Sequence, residues 1–194
     1  MIIGFYLFVF IVISQRFIEI IISKRNGHLI KARGGFEVGA EHYKFIVITH
    51  VCFFISLLAE VTISRPSFVS WVIIPFCIFL IAQFGRVWAL SSLGDFWNTR
   101  IMILPGANVV AKGPYKYIRH PNYLIVVIEI AMLPLMFQAY WTALIFSIIN
   151  GVILALRISV EEHALREATD YDKVFQKHGR FVPLNSFIPE NKPE

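Results

Sequence analysis

Four long apolar stretches limit what this chain can become: Ile2 to Ile22, Tyr43 to Ile63, Phe68 to Leu90, and Tyr123 to Leu156. A helix rises 1.5 Å per residue, so about twenty residues cross the hydrocarbon core of a bilayer. The fourth stretch is too long for one crossing. Pro134, Gln138 and the interfacial pair Tyr140-Trp141 interrupt it, which predicts a tight turn and two antiparallel helices. With 57% hydrophobic and 16% charged residues in 194, the chain is too apolar for an ordinary soluble domain and too short to divide into two. The expected fold is an all-α integral membrane protein of about five transmembrane helices in a single domain spanning residues 1–194.

Charge predicts the orientation. Residues 24–44 carry Lys24, Arg25, Lys31, Arg33 and Lys44, and residues 95–122 carry Arg100, Lys112, Lys116 and Arg119. The links at Ser64 to Ser67 and around Gln138 have one cation between them. The positive-inside rule then puts the N-terminus outside and the two long loops and the C-terminal tail in the cytoplasm. This placement, with attraction to anionic lipid headgroups, accounts for the net charge of +5 without nucleic acid. The tail from Ser159 to Lys177 has a helical polar pattern, expected to continue the fifth span and to stop at Gly179. The N-terminal apolar run lacks a preceding basic residue and continues to Ile22, which favours a retained helix over a cleaved signal peptide. Cys52 and Cys77 lie in apolar spans without CxxC spacing and read as small buried hydrophobes.

Residues 112–123, Lys-Gly-Pro-Tyr-Lys-Tyr-Ile-Arg-His-Pro-Asn-Tyr, set a basic, aromatic segment against a membrane span. Pro121 suits the first turn of a helix, which places Arg119 and His120 just before its free N–H groups. Tyr115, Tyr117 and Tyr123 are either interfacial anchors or the walls of an aromatic pocket for a purine or sulfonium. At the far end of the hairpin, Arg157, Glu161 and Glu162 fall at the same membrane edge. Arg157 and Glu161 are either a surface ion pair or, opposite His120, a cation for an anionic nucleophile and a carboxylate for a cationic ligand. The histidines show no HExxH or paired spacing, so no metal centre is expected. Within the spans Arg16, Glu19, His50, Glu60, Arg86 and Glu129 are ionisable, a costly placement that implies pairing or function. Arg16 with Glu19 suits one helix face; Glu129 suits either Arg86 or a substrate's polar head.

Gly113-Pro114-Tyr115, then Arg119-His120-Pro121-Asn122-Tyr123, then Arg157 followed by Glu161-Glu162, resembles the isoprenylcysteine carboxyl methyltransferase family and the wider group of membrane phospholipid methyltransferases. The resemblance covers residues 83–183 as the catalytic region, leaving residues 1–82 as N-terminal spans. It implies a cytoplasmic pocket completed by the C-terminal helix. There S-adenosylmethionine would contact Ala107, Asn108, Val109 and Val110, Tyr115, His120, Pro121, Asn122 and Tyr123, and Glu161. It implies that Arg157 holds a lipophilic acceptor drawn from the bilayer; Glu129, six residues beyond Tyr123 in the span, is a candidate second substrate contact by its depth. Arg100 stands where eukaryotic members commonly have glutamine, and Ile125 where a glycine is frequent. The Arg25-Asn26 ending of the first helix and Leu104-Pro105-Gly106-Ala107 resemble a bacterial branch whose members are implied to O-methylate alkylpyrones. A prenylcysteine acid or phospholipid amine are alternative acceptors, and a nicotinamide-dependent reductase or a small transporter or scaffold are alternative functions.

Overall fold

The computed structural model describes residues 2–176 and 178–183. It is mostly helical. Helices α1 (Ile2–Ala32), α2 (Ala40–Ser64) and α3 (Ile73–Leu93) precede a hairpin of α4 (Pro121–Met136) and α5 (Tyr140–Ala168), and a single turn, α6 (Tyr171–Phe175), follows. Two short strands, β1 (Phe36–Val38) and β2 (Ile101–Ile103), pair antiparallel with Glu37 opposite Met102. Four helices, α1, α2, α3 with its flanking turns, and α5, are long and apolar enough to cross a membrane. The fifth predicted span, α4, has only 16 residues, about 24 Å of helix.

Each long helix buries one stripe and turns the rest outward. On α1 the buried positions Phe5, Val9, Val12, Glu19, Ser23, Asn26 and Ile30 recur at helical spacing. They are apolar in the first half and mostly polar in the second, so the interior changes character from one end of the bundle to the other. At the apolar end Phe5, Val9, Phe53, Leu57, Phe79, Leu133 and Phe146 form one packed cluster. Outward-facing Phe10, Phe17, Ile55, Ile81, Phe84 and Ile148 are all largely exposed, which would be a liability in water and is the natural surface toward lipid. Cys52 and Cys77 belong to this surface; they are exposed rather than buried.

Helix α4 lies between α3 and α5, and α5 also packs on α2. Ile125 on α4 nests against Gly85 on α3, where a Cβ would meet its Cδ1 at 3.5 Å. The predicted turn between α4 and α5 is present: α4 ends at Met136, Gln138 adopts φ 56°, and α5 starts at Tyr140. The residue before α5, Ala139, has no capping side chain, and Glu60 of α2 takes that role. Its carboxylate accepts the N–H groups of Trp141 at 3.1 Å and Thr142 at 2.8 Å, and the Thr142 hydroxyl at 2.7 Å.

Two expected boundaries move. Helix α1 continues ten residues past Ile22 to Ala32, so Arg25-Asn26 is helix interior and not its ending. The tail does not run to Gly179: α5 stops at Thr169, whose hydroxyl turns back to the Leu165 carbonyl at 2.6 Å. Asp170 starts α6 instead, its carbonyl accepting the N–H of Lys173 and Val174. Serine, threonine and aspartate bond their own backbone in competition with the helix, and here that competition wins.

Midway along the bundle four of the six predicted intramembrane ionisable groups meet, Arg16, Glu19, Arg86 and Glu129. Arg16 donates to Glu19 at 2.6 Å and to Glu129 at 2.9 Å. Arg86 forks onto both oxygens of Glu129 and reaches Glu19 at 3.3 Å. Gln83 donates to Glu129, and Gln15 bridges Glu19 and Gln83. This network ties α1, α3 and α4 together where lipid tails offer no hydrophobic drive for association. Removing one member leaves an uncompensated buried charge. Glu129→Ala should therefore lower stability by about 3–5 kcal/mol, against less than about 1 kcal/mol for Asp95→Ala, whose pair with Arg33 is half exposed. Equilibrium unfolding of both variants in the same detergent checks this.

Candidate active site

The polar segment before α4 is held from two directions. Its 3-10 turn, Gly113–Lys116, starts at a glycine with φ 55°, a conformation other residues rarely adopt. A Cβ at Gly113 would also meet Ser92 Oγ at 2.0 Å and Trp88 Nε1 at 2.9 Å, so this turn lies hard against α3. Beyond it the tail folds back alongside. The Arg119 N–H donates to the Gly179 carbonyl at 2.9 Å, the His120 N–H to the Arg180 carbonyl at 3.1 Å, and Arg119 Nε to the His178 carbonyl at 2.5 Å. Gly179, expected to end a helix, instead bridges Ile118 in parallel register.

The adjacent glutamates of α5 have separate roles. Glu162 is 1% exposed. It accepts His120 Nε2 at 3.0 Å, Arg180 Nε at 3.0 Å and Nη2 at 2.7 Å, and Arg166 Nη2 at 3.3 Å. These bonds join α4, α5 and the tail, and they raise the Arg180 guanidinium above its ordinary pKa, mainly through its hydrogen bonds to Glu162. Glu161 points the other way, into a cleft, and accepts the Tyr123 hydroxyl at 2.5 Å. The same Tyr123 oxygen accepts Arg157 Nε at 2.8 Å. Among the described residues Arg157 and Glu161 form no direct ion pair; one phenol stands between them. Arg157 is further anchored by Nη2 on the Thr99 carbonyl at 2.6 Å.

The cleft gathers Ala107 through Val110, Tyr115, His120, Asn122, Tyr123, Arg157 and Glu161, positions separated by up to 54 in sequence. Pro121 and Glu129 are not on its wall: Pro121 opens α4, and Glu129 sits in the intramembrane network. Tyr117 is half exposed and lies off the cleft. The 107–110 loop hangs on the end of α5, with Gly106 N–H on the Ala168 carbonyl and Val109 N–H on Asp170 Oδ1, both at 2.9 Å. Burial and then the charge of Glu161 push the Tyr115 phenol well up, so it stays neutral. Arg100 borders the cleft too, but its guanidinium is occupied, held by both oxygens of Glu37 at 3.0 Å and stacked 4.7 Å over the Tyr43 ring.

Sequence reasoning missed Trp97, Thr99, Asp170, Tyr171 and Phe175. Trp97, Tyr171 and Phe175 line the cleft, while Thr99 and Asp170 hold its parts. None lies in a motif; the one signal was the aromatic content of 171–175 beside a helix-breaking Thr169-Asp170. The buried polar atoms of cleft residues without a hydrogen-bond partner among the described residues include Trp97 Nε1 and Asn122 Oδ1. A buried donor and acceptor left open in one cleft are the signature of a polar ligand site. No cluster of potential metal ligands occurs among the described residues.

The sequence model described as the isoprenylcysteine carboxyl methyltransferase (ICMT) family matches residues 71–167. The chain belongs to this family. ICMT-family proteins are membrane methyltransferases that generally use S-adenosylmethionine, and the match runs from the start of α3 to the last turn of α5, with the cleft's Arg157 and Glu161 inside it. Two bacterial proteins are similar over most of their length. One is YpbQ, an uncharacterised protein of Bacillus subtilis, 44% identical over 163 residues, covering 84% of this chain and 97% of the relative. The other is an uncharacterised protein of Haemophilus influenzae, 32% identical over 155 residues, covering 79% of this chain and 90% of the relative.

The split between the two glutamates is testable. Glu162→Ala strands the buried His120 donor, releases the half-exposed Arg166 and Arg180, and should cost about 2–3 kcal/mol of stability. Glu161→Ala leaves the Tyr123 hydroxyl still bonded to Arg157 and should cost about 1 kcal/mol. Thermal unfolding of both in detergent reads the difference.

Proposed function

We propose that the protein transfers a methyl group from S-adenosylmethionine to a carboxylate or enolate oxygen of a lipophilic acceptor, isoprenylcysteine-like or alkylpyrone-like, at the cytoplasmic membrane face. The observation that carries this reading is the Tyr123 hydroxyl, bonded on one side to Glu161 and on the other to Arg157. One cleft thereby has a half suited to a cation and a half suited to an oxyanion, separated by a single aromatic ring.

The residues present fit the cofactor. Asn122 Oδ1 and Trp97 Nε1 supply an unused acceptor and donor, Glu161 supplies a carboxylate, and Tyr115, Tyr171 and Phe175 supply apolar and aromatic wall. The 107–110 backbone and His120 complete the enclosure. S-adenosylmethionine, when bound, supplies an electrophilic methyl on a sulfonium. The chain's part is then to hold, orient and exclude water, because displacement by an oxygen that is already anionic needs no base. His120 is in any case committed to Glu162. Arg157 keeps the acceptor oxygen anionic and aimed; a guanidinium there would repel an ammonium, which disfavours amine acceptors such as a phospholipid headgroup.

Charge favours the cytoplasmic side. The cleft end of the bundle carries Lys31, Arg33, Arg100, Lys112, Lys116 and Arg119, whereas the loops 65–69 and 137–139 at the other end contribute Arg65 alone. The acceptor would enter from the bilayer beside the short helix α4.

Calorimetry with S-adenosylmethionine and with NADPH separates a methyltransferase from a reductase, and binding of neither supports the transporter or scaffold alternative. Glu161→Ala should weaken S-adenosylmethionine binding roughly ten- to hundredfold, the worth of one charge-assisted contact. Arg157→Lys should keep that affinity while lowering turnover, and Arg157→Ala should lower it further, because lysine retains charge without the planar fork. Reporter fusions should place the N-terminus outside and the C-terminus in the cytoplasm.

A further inference from the structure

Arg157 has two anchors, and the second leads out of the family-matched region. Its Nη2 donates to the backbone carbonyl of Thr99 at 2.6 Å. Thr99 lies in the link between the turn at 94–96 and β2, in neither helix nor strand, so no regular hydrogen-bond ladder sets the direction of that carbonyl. Side chains of α1 set it, with the Tyr43 hydroxyl of α2 lying 3.3 Å from Thr99 Oγ1. Ser23 Oγ donates to Asn98 Oδ1 at 2.7 Å, accepts the Thr99 N–H at 3.0 Å and lies 2.8 Å from Thr99 Oγ1. Asn98 returns a bond from Nδ2 to the Ser23 carbonyl at 2.9 Å. One turn on, Asn26 Nδ2 donates to the carbonyls of Gly94 at 3.1 Å and Trp97 at 2.7 Å. Gly27 completes the fit, since a Cβ there would come within 3.3 Å of Asn98 Nδ2.

We propose that Ser23, through Asn98 and Thr99, is a positioning residue that fixes the direction of the Arg157 guanidinium and so decides where the acceptor oxygen is held. A guanidinium is a planar fork, and bonds from its adjacent Nε and Nη2 donors to two different partners stop its rotation. Tyr123 supplies one from α4; the Thr99 carbonyl supplies the other only while Ser23 holds it. An apolar residue at position 23 would pack equally well against the link but could not orient a carbonyl. The first helix, outside residues 71–167, thereby becomes part of the catalytic apparatus. The proposal rests on the reading of Arg157 as the acceptor's anchor.

The test uses full-length protein in detergent carrying Ser23→Ala, Thr99→Val or Ser23→Thr, with Arg157→Ala and Arg157→Lys as references. The first readout needs no acceptor: the side-chain N–H resonances of Arg157 in protein made with nitrogen-labelled arginine, assigned by their loss in Arg157→Lys. The second is S-adenosylmethionine affinity. The third is single-turnover methyl transfer to two probes, N-acetyl-S-farnesylcysteine and a long-chain alkyl hydroxypyrone. Ser23→Ala and Thr99→Val should shift or broaden the Arg157 resonances, leave S-adenosylmethionine affinity unchanged and slow transfer roughly ten- to a hundredfold, the scale of a small misplacement of a reacting group. Ser23→Thr, which keeps the hydroxyl, should restore both signals. Unchanged resonances in Ser23→Ala overturn the proposal, as does a joint loss of stability, cofactor affinity and rate that Ser23→Thr does not rescue. If Arg157→Ala transfers at the wild-type rate, or wild type methylates neither probe, the functional reading of Arg157 fails, and the resonances alone then decide whether Ser23 positions it.

Discussion

A bilayer supplies no water to a stranded polar group, and the architecture of this chain follows from that shortage. Among the described residues the buried carboxylates of the helical interior have partners on other elements. Glu129 is shared by Arg16 and Arg86, Glu60 caps α5 from α2, and Glu162 gathers His120, Arg166 and Arg180. Against lipid tails as apolar as leucine, these pairings also choose which helices lie together. The more apolar half of the bundle adds packing, but aromatic rings and leucines could pack in several arrangements. The shared carboxylates permit far fewer.

The short helix α4 makes room for the site. Its neighbours α3 and α5 have 21 and 29 residues, and it has 16. The chain between α3 and α4 can therefore fold over the end of the bundle as strand β2, the 107–110 loop and a 3-10 turn, rather than leave at once for solvent. Polar groups of α5 that would otherwise protrude beside it, Arg157, Glu161 and Glu162, acquire walls. Tyr123 then does two tasks with one oxygen, keeping a carboxylate and a guanidinium close without letting them neutralise each other. A direct ion pair would have spent both charges; separated by a phenol, each remains available to a ligand.

Two adjacent residues, Glu161 and Glu162, point in opposite senses from one helix, so one serves the cleft and the other serves the junction behind it. The tail is part of that junction. Arg180 closes on Glu162 while its carbonyl and that of Gly179 receive the N–H groups of His120 and Arg119, so the residues that open α4 are set by the end of the chain as much as by the helix they precede.

Several features were legible in the order of residues. Runs of about twenty apolar residues can do little but form helices, Pro134 through Tyr140 had to turn, and a hairpin with Arg119-His120 at one end and Arg157 to Glu162 at the other had to bring those groups to one membrane edge. The pairing of Arg16 with Glu19 was legible from helical spacing, and the cost of lone charge in lipid marked Arg86 as one of two candidate partners for Glu129. Other features were decided only in three dimensions. Glu129 could have faced a ligand or a cation, and which one depended on where α1 and α3 packed. Cys52 and Cys77 lie in apolar spans whose lipid-facing and core-facing sides look alike in composition, so burial could not be read from residue type. The break at Thr169-Asp170 depended on Asp170 finding the Val109 N–H, a partner 61 residues away. The anchoring of Arg157 by Thr99 depended on a backbone carbonyl, a group every residue carries and no side-chain pattern reveals. Local order along the chain determined the helices and the ends at which charge collects; contacts between distant segments determined which charges pair and which stay open to a ligand.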